Sequence, residues 1–508
     1  MRPSALSTSA HSISNPSISA RTRSALFGVI ALTLALAGCV ATGSRSKSAI
    51  ADDGMSKHPQ QLPPPAELIY TPPAPEIVKF DNGLTVYLLE DHELPLVTGR
   101  LLVRAGYIYD PVDKLALASL TGSTMRSGGA GSLTGDQIDE ALEFVAASVE
   151  VGVDYEGAFV DFSTLTKDLD QVLGLFSDVL LRPQFDQGKI DLGKQQGMVA
   201  IRRRFDDPGN MARLKFRAVV YGDDNPYSRL SRPHHVESMT RDDLVGFHRQ
   251  YYVPNGAILG ISGDFDRDKL VADLHTLLDG WSKGDGWMPE IPEGDPPPPG
   301  VYYIERDLSQ TIVRIGHSGM PRHSDDQDAV EVMNRIYGIG TFTSRLGTEV
   351  RSNRGLAYSV FGAVFDSPDP RHGMALALVQ TRANATGETI SVMEQITREM
   401  TTDPATQEEL DNAKNQLINS FIFGFSSRAS IVERRVELAF DGFPDDYLET
   451  YLDRIRAVTV EDVTRVAAKY LRGDDLRILV VGDRSQFDQP LESFGPVTEI
   501  TVNGPGQQ

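Results

Sequence analysis

Residues 337–360 read YGIGTFTSRLGTEVRSNRGLAYSV, and the rest of the chain is best read outward from them. Gly338 and Gly340 open a loop. The pattern then predicts a short amphipathic helix over about Ser344–Arg354, ended by Gly355 as a left-handed cap. An alternating strand is predicted to begin near Ala357. Arg351 falls on the last turn of the helix and Tyr358 on the first residues of the strand. A guanidinium and a phenol therefore flank one tight junction, and both are donors able to aim at the same carbonyl oxygen or carboxylate. Structural alternatives stand beside this reading. An arginine at a helix C-terminus complements the macrodipole, and a tyrosine opening a strand packs as a half-buried aromatic.

Outside this stretch, 508 residues exceed one ordinary core, so two domains or more are expected. Hydrophobic content of 40% and charged content of 23% are those of a globular protein. The net charge of -21 argues against nucleic acid and against an electrostatic grip on anionic lipid. Solubility accounts for the acidity, with basic peptides as an alternative partner.

The single cysteine, Cys39, excludes an internal disulfide. Arg21 and Arg23 precede an apolar run, Ala25 to Ala37, too short to span a bilayer and suited to a signal-peptide core. It ends in Leu36-Ala37-Gly38-Cys39, which resembles a bacterial lipobox. That resemblance implies a signal peptide over residues 1–38, lipidation at Cys39 and a periplasmic, membrane-anchored lipoprotein of a Gram-negative bacterium. The long Ser/Arg-rich start leaves an organelle transit peptide as the alternative. Residues 39–76, rich in Ser, Pro and Gln, read as a flexible tether.

Folded structure is predicted from near Val78. Asn82-Gly83 makes a hairpin turn into LTVYLLED. A strand over about Val97–Ala105, a helix over Leu115–Met125, and a helix capped by Thr134 or Asp136 follow. Strands are predicted at Ser148–Asp154 and Ala158–Thr166, then helices at Asp168–Leu181 and about Gln187–Phe205. Residues 285–300, DGWMPEIPEGDPPPPG, are the clearest linker, because four prolines favour a stiff polyproline spacer.

The two sides of this linker repeat each other. Thr240 and Thr459 each precede an acidic first helical turn, and Gly263 and Gly482 each end an apolar strand; both pairs are 219 residues apart. Pro183 and Pro404 each precede a long helix. Residues 77–284 and 301–495 are therefore read as two homologous α+β halves, each a mostly antiparallel sheet with helices packed on one face, with 496–508 as a tail.

The pattern G-x-G-x-F-x-S-R-L, followed by an arginine and a tyrosine seven apart in a G-L-A-Y-S-V context, resembles the C-terminal half of the pitrilysin/insulinase family of metallopeptidases, the inverzincins. The resemblance covers about residues 78–490. It implies a clamshell of two halves around a chamber, with Arg351 and Tyr358 as catalytic contacts near the scissile bond. Gly338, Gly340, Ser344 and Arg345 are read as substrate-binding residues, with a hinge or a plain turn as the alternatives for the Gly338/Gly340 loop.

Active members carry H-x-x-E-H on the first helix of the N-terminal half. Two histidines one turn apart hold zinc, and the glutamate is the general base. Here those five positions are Ser119, Leu120, Thr121, Gly122 and Ser123, and Gln196 stands about where a third ligand is expected. Neutral hydroxyls and an amide bind zinc poorly against water. Of the ten histidines, no two are spaced by three or four residues, and each is read as a surface or packing residue. No nucleophile elbow, phosphate loop or dinucleotide fingerprint is present. The chain is thus expected to hold no cofactor of its own. By resemblance to family members that work as heterodimers, it is expected to bind peptides and stabilise the oxyanion for a zinc-bearing partner subunit of the same family. The alternative is a catalytically dead, lipid-anchored binding or scaffold protein.

Overall fold

The computed structural model describes residues 70–285, 294–367 and 373–502. The expected signal peptide, Cys39, the tether up to Ile69, His11, His58 and His372 lie outside the described residues, as do parts of the linker and tail. Strands of the first half are β1 (Glu76–Lys79), β2 (Thr85–Glu90), β3 (Leu96–Val103), β4 (Ser148–Val153), β5 (Ala158–Leu165) and β6 (Ile258–Gly263). Those of the second are β7 (Gly300–Glu305), β8 (Gln310–Ser318), β9 (Met320–Pro321), β10 (Val360–Ser367), β11 (Met374–Arg382), β12 (Arg477–Gly482) and β13 (Val497–Glu499).

The repeat predicted from sequence is carried by the topology. Sheet 1 runs β1-β2-β6-β3-β5-β4 and sheet 2 runs β13-β7-β12-β8-β11-β10-β9. The five strands β2-β6-β3-β5-β4 match β7-β12-β8-β11-β10 one for one. In each set the first pairing is parallel and the other three are antiparallel. The residues that gave the repeat away hold equivalent posts. Thr240 caps helix Arg241–Tyr251 with Asp243 reciprocating, and Thr459 caps helix Val460–Tyr470 with Asp462 reciprocating. Gly263 and Gly482 end β6 and β12.

Local departures have local causes. Thr134 caps helix Gly135–Phe144, and its box is closed by Gln137 rather than by a later glutamate. The tail is not wholly outside the fold: β13 pairs in parallel with β7, and the Ile500 N–H donates to the Tyr303 carbonyl at 2.7 Å.

The second face of each sheet is also covered, beyond the one-faced packing read from sequence. Helix Pro208–Tyr221 of the first half lies on β8 and β12 of sheet 2, and helix Arg428–Phe440 of the second half lies on β6, β3 and β2 of sheet 1. The two helices are repeat equivalents, capped by Asp207 and Ser427, 220 residues apart. Val432 and Val436 press on Gly260 of β6, where a Cβ would stand 2.4 Å from Val432 Cγ1. Phe216, 1% exposed, joins Ile312, Leu479 and Val481 in one core. Each such large buried side chain contributes on the order of 1.5–3 kcal/mol. The halves of the clamshell are thus clasped through an exchange of helices.

Candidate functional site

Residues 337–360 fold as a loop, a wide helical turn and the start of a strand. Gly338 lies in the π-helical segment Arg335–Ile339, where a Cβ would fall 2.4 Å from the Gly362 nitrogen of β10. Its place is decided by backbone packing against that strand. Gly340 supplies the carbonyl that accepts the Ser344 N–H at 2.9 Å. Ser344 is fully buried, and its hydroxyl accepts the Gly347 N–H at 3.1 Å, so it begins the next helical segment and does not face a ligand. That segment, Gly347–Asn353, is π-helical, and the Arg354 N–H reaches the Glu349 carbonyl at 3.2 Å. Gly355 takes φ +59, the predicted left-handed cap.

β10 begins at Val360, three residues later than the sequence suggests. The Leu356 N–H is held by the Val350 carbonyl and the Leu356 carbonyl accepts from the Thr381 hydroxyl, so the chain stays tied to the helix end until it has passed that point. Tyr358 therefore sits in the connection and is 84% exposed.

The three arginines of this segment differ in a way that spacing alone does not show. Arg345 makes a two-pronged pair with Glu409, at 2.8 and 3.0 Å, and donates to the carbonyls of Asp403 and Pro404. Burial works against the Glu409 carboxylate, yet the donors from Arg345 hold it below the ordinary range. Arg345 thereby ties the segment to helix Gln407–Phe421 and also lines the cleft that opens beside it. Arg354 pairs with Glu349 at 2.6 Å and reaches Glu388. Arg351 has no carboxylate partner among the described residues. Its guanidinium is held between two rings, 4.4 Å from Phe342 and 4.5 Å from Tyr358. Stacking engages the faces of the guanidinium and leaves its N–H edge for another acceptor. Phe342, 66% exposed, was not singled out from sequence although it lies inside the glycine-loop pattern. A cleft of about 470 Å³ opens alongside, between residues 343–354 and helix Thr386–Thr402, lined by Thr343, Thr348, Glu349 and Glu399 among others.

The zinc-motif positions lie on helix Leu117–Ser127, which packs on β4 and on helix Gln187–Arg203 within the first half. Ser119 and Ser123 are exposed, and the Ser123 hydroxyl donates to the Leu120 carbonyl at 3.1 Å. A Cβ on Gly122 would stand 2.5 Å from Val153 Cγ2 and 3.5 Å from the Tyr252 hydroxyl. Gln196 is exposed on its own helix. These residues do not fit zinc: no imidazole, thiolate or carboxylate is offered, and Val153 fills the space beside Gly122. Among the described residues, no group of three or more His, Cys, Asp or Glu is placed to hold a metal ion.

The seven described histidines have structural surroundings. His92 pairs with Asp264 at 2.6 Å, His275 stacks on Phe80, and His323 leans on Phe443. His235 accepts the Arg232 N–H and touches His234 edge-on. His248 donates to the Leu180 carbonyl. His317, 1% exposed, donates from Nδ1 to the Ser318 carbonyl at 2.6 Å and accepts the Arg472 N–H on Nε2 at 3.0 Å. Burial, and then the Arg472 charge, push its pKa down to about 4.

Two models of one peptidase family match the chain. The insulinase model, peptidase family M16, covers residues 85–204, and the model described as the M16 peptidase inactive domain covers residues 238–417. The chain belongs to the insulinase family of peptidases. Among relatives of this family member, an uncharacterized zinc protease of Mycobacterium bovis is 28% identical over 344 residues, covering 66% of this chain and 76% of that one. The non-peptidase homolog YmxG of Helicobacter pylori is 22% identical over 401 residues, covering 78% and 91%. The solved peptidase M16 inactive domain from Pseudomonas fluorescens superposes with a TM-score of 0.74 at 26% identity, covering 82% of this chain and all of that one. The periplasmic protease PqqL from Escherichia coli shares the fold at a TM-score of 0.69 and 14% identity, over 82% of this chain and 47% of that one.

Proposed function

We propose that this insulinase-family chain is the peptide-binding and oxyanion-stabilising subunit of a two-chain zinc peptidase, with the hydrolytic centre supplied by a partner that carries H-x-x-E-H. The observation that carries this reading is the free N–H edge of Arg351, held between Phe342 and Tyr358 while its neighbours Arg345 and Arg354 are both ion-paired. A guanidinium fixed by rings keeps its donors for an incoming carbonyl or carboxylate. The exposed phenol of Tyr358 adds a second donor at the same junction, suited to an oxygen that gains charge during acyl transfer. Positioned donors of this kind contribute on the order of 10²–10³ in kcat when aimed at the developing oxyanion. The basic n-region, apolar run and Leu36-Ala37-Gly38-Cys39 support a periplasmic lipoprotein, as does the fold shared with a periplasmic protease.

The purified chain is expected to hold no stoichiometric zinc and to cleave no peptide. Mixed with an H-x-x-E-H partner from the same membranes, it is expected to restore cleavage, and Arg351→Ala or Tyr358→Phe to lower kcat without unfolding the chain. Cleavage by the lone chain, or a mixture indifferent to both substitutions, refutes the proposal. The second outcome would favour a binding or scaffold role without catalysis, in keeping with the non-peptidase name of the Helicobacter pylori relative.

A further inference from the structure

The internal repeat supplies its own control for one row of side chains. Across sheet 1, Gly260, Arg100, Asp161 and Glu150 lie opposite one another on β6, β3, β5 and β4. The equivalent row across sheet 2 is Leu479, Arg314, Leu378 and Phe361 on β12, β8, β11 and β10. Each arginine faces the helix exchanged from the other half.

Arg100 is neutralised. Its Nε and Nη2 donate to the two Asp161 oxygens at 2.9 and 2.7 Å, Nη1 donates to Glu433 of the exchanged helix, and Glu437 adds further negative charge one turn on. Counted from the N-caps Ser427 and Asp207, Glu433 and Glu437 correspond to Arg213 and Arg217. The second copy therefore keeps the arginine, replaces its aspartate with Leu378, and replaces both glutamates with arginines.

No carboxylate among the described residues pairs with these three guanidiniums. Arg213 donates to the Asn210 amide oxygen at 2.7 Å, and Arg217 lies over the Tyr155 ring at 4.3 Å. The Nε of Arg314 and Nη1 of Arg217 are buried donors with no acceptor among the described residues. Burial, and then the charges of Arg213 and Arg217, push the Arg314 guanidinium down to about 10. In a chain of net charge -21, three cations converging without an acid mark a place where an anion is missing. Arg217 and Arg314 are half-buried and Arg213 is exposed, so the first two carry partly desolvated charge that no acid offsets.

We propose that Arg213, Arg217 and Arg314 form an anion-binding site at the seam between the halves, taking a carboxylate borne on an apolar group: the C-terminal residue of a peptide. Guanidinium forks match a carboxylate with two parallel donors. The apolar part has its own wall, because Leu378 and Phe361 stand on the same face beside Arg314 and both are only half-buried. Its three arginines are distinct from Arg351 and all belong to this one chain.

The test uses the lone full chain, with N-acetyl-Phe-Leu as free acid, the same dipeptide as its amide, and inorganic phosphate as probes. The free acid is expected to raise the thermal midpoint, with the amide bound at least about tenfold more weakly for want of one charge-assisted pair. Arg314→Leu and Leu378→Asp are each expected to abolish the shift, the second by restoring the acid present in the sister row. Without any probe, Arg314→Leu is expected to raise the midpoint and Arg100→Leu to lower it. No shift with the acid, equal shifts with acid and amide, or a response to phosphate alone each overturns the assignment. So does a drop in midpoint for Arg314→Leu like that of Arg100→Leu, which would show Arg314 already partnered.

Discussion

Writing the zinc motif back into helix Leu117–Ser127 is expected to fail. The perturbation is Ser119→His, Gly122→Glu and Ser123→His, with Gln196→Glu on the neighbouring helix. At Gly122 the first added atom meets Val153 Cγ2 at 2.5 Å, with Val151 Cγ1 at 3.6 Å behind it. Overfilling a packed site of this kind costs about 1–3 kcal/mol. The carboxylate that follows would enter a region bounded by two valines and the buried Tyr252 hydroxyl, which has no hydrogen-bond partner among the described residues. Burying a polar group without enough partners adds about 1–3 kcal/mol. A site opposed by roughly 2–6 kcal/mol in sum is not preformed, and the metal must offset that before it can be held. Zinc measured by atomic absorption after dialysis should fall well below one per chain, with a lowered thermal midpoint. Adding Val153→Ala, which removes the atoms nearest to Gly122, should recover part of both. One zinc per chain in the variant that keeps Val153, at an unchanged midpoint, would refute the packing argument.

Acid is expected to weaken the fold through His317. The folded state keeps this ring neutral down to about 4, whereas the unfolded chain protonates it near the ordinary 6.5. The unfolded state therefore binds more protons between those values, so the stabilisation is complete above pH 6.5 and is lost as pH falls toward 4, by on the order of 3 kcal/mol. Urea titrations across that range should show a shallower acid loss in His317→Gln. Glu409→Ala is expected to cost about 1–3 kcal/mol by stranding Arg345, while Arg351→Ala changes stability by no more than about 0.5 kcal/mol. Equal urea midpoints for the two variants would remove the distinction between a tethered and a free arginine. Thr240→Ala and Thr459→Ala should each cost about 1 kcal/mol, because each deletes one half of a capping box in an equivalent helix. Calorimetry showing a loss at only one of them would argue against their equivalence.

The repeat was legible because caps and strand ends are set by local chemistry. A threonine three residues before an aspartate, or a glycine closing an apolar run, means the same thing in either half. The left-handed Gly355 was legible for the same reason. The late start of β10 was not, because it depends on Thr381, a distant residue that captures the Leu356 carbonyl. Ser344 and Arg345 illustrate the same limit. Nothing near them in sequence names Glu409 or the enclosure around Ser344, whereas no acid among the described residues reaches Arg351. The zinc positions could be read as lacking ligands, but the valine that fills their space comes from β4 and had no local signature. Exchanged helices are least visible of all, since their apolar stripes look like those of any helix packed on its own sheet.

That exchange has a consequence for how such a chain can arise and be divided. Each sheet depends for one of its faces on a helix encoded on the far side of the proline linker, so neither half is a self-sufficient folding unit. Cutting the chain near Pro296 should give fragments that are poorly soluble apart and complement one another when refolded together. A duplicated gene whose single copy formed a swapped homodimer, later fused through a spacer, would leave this arrangement behind. Once fused, the two copies were free to differ at matching positions, as Asp161 beside Arg100 and Leu378 beside Arg314 do.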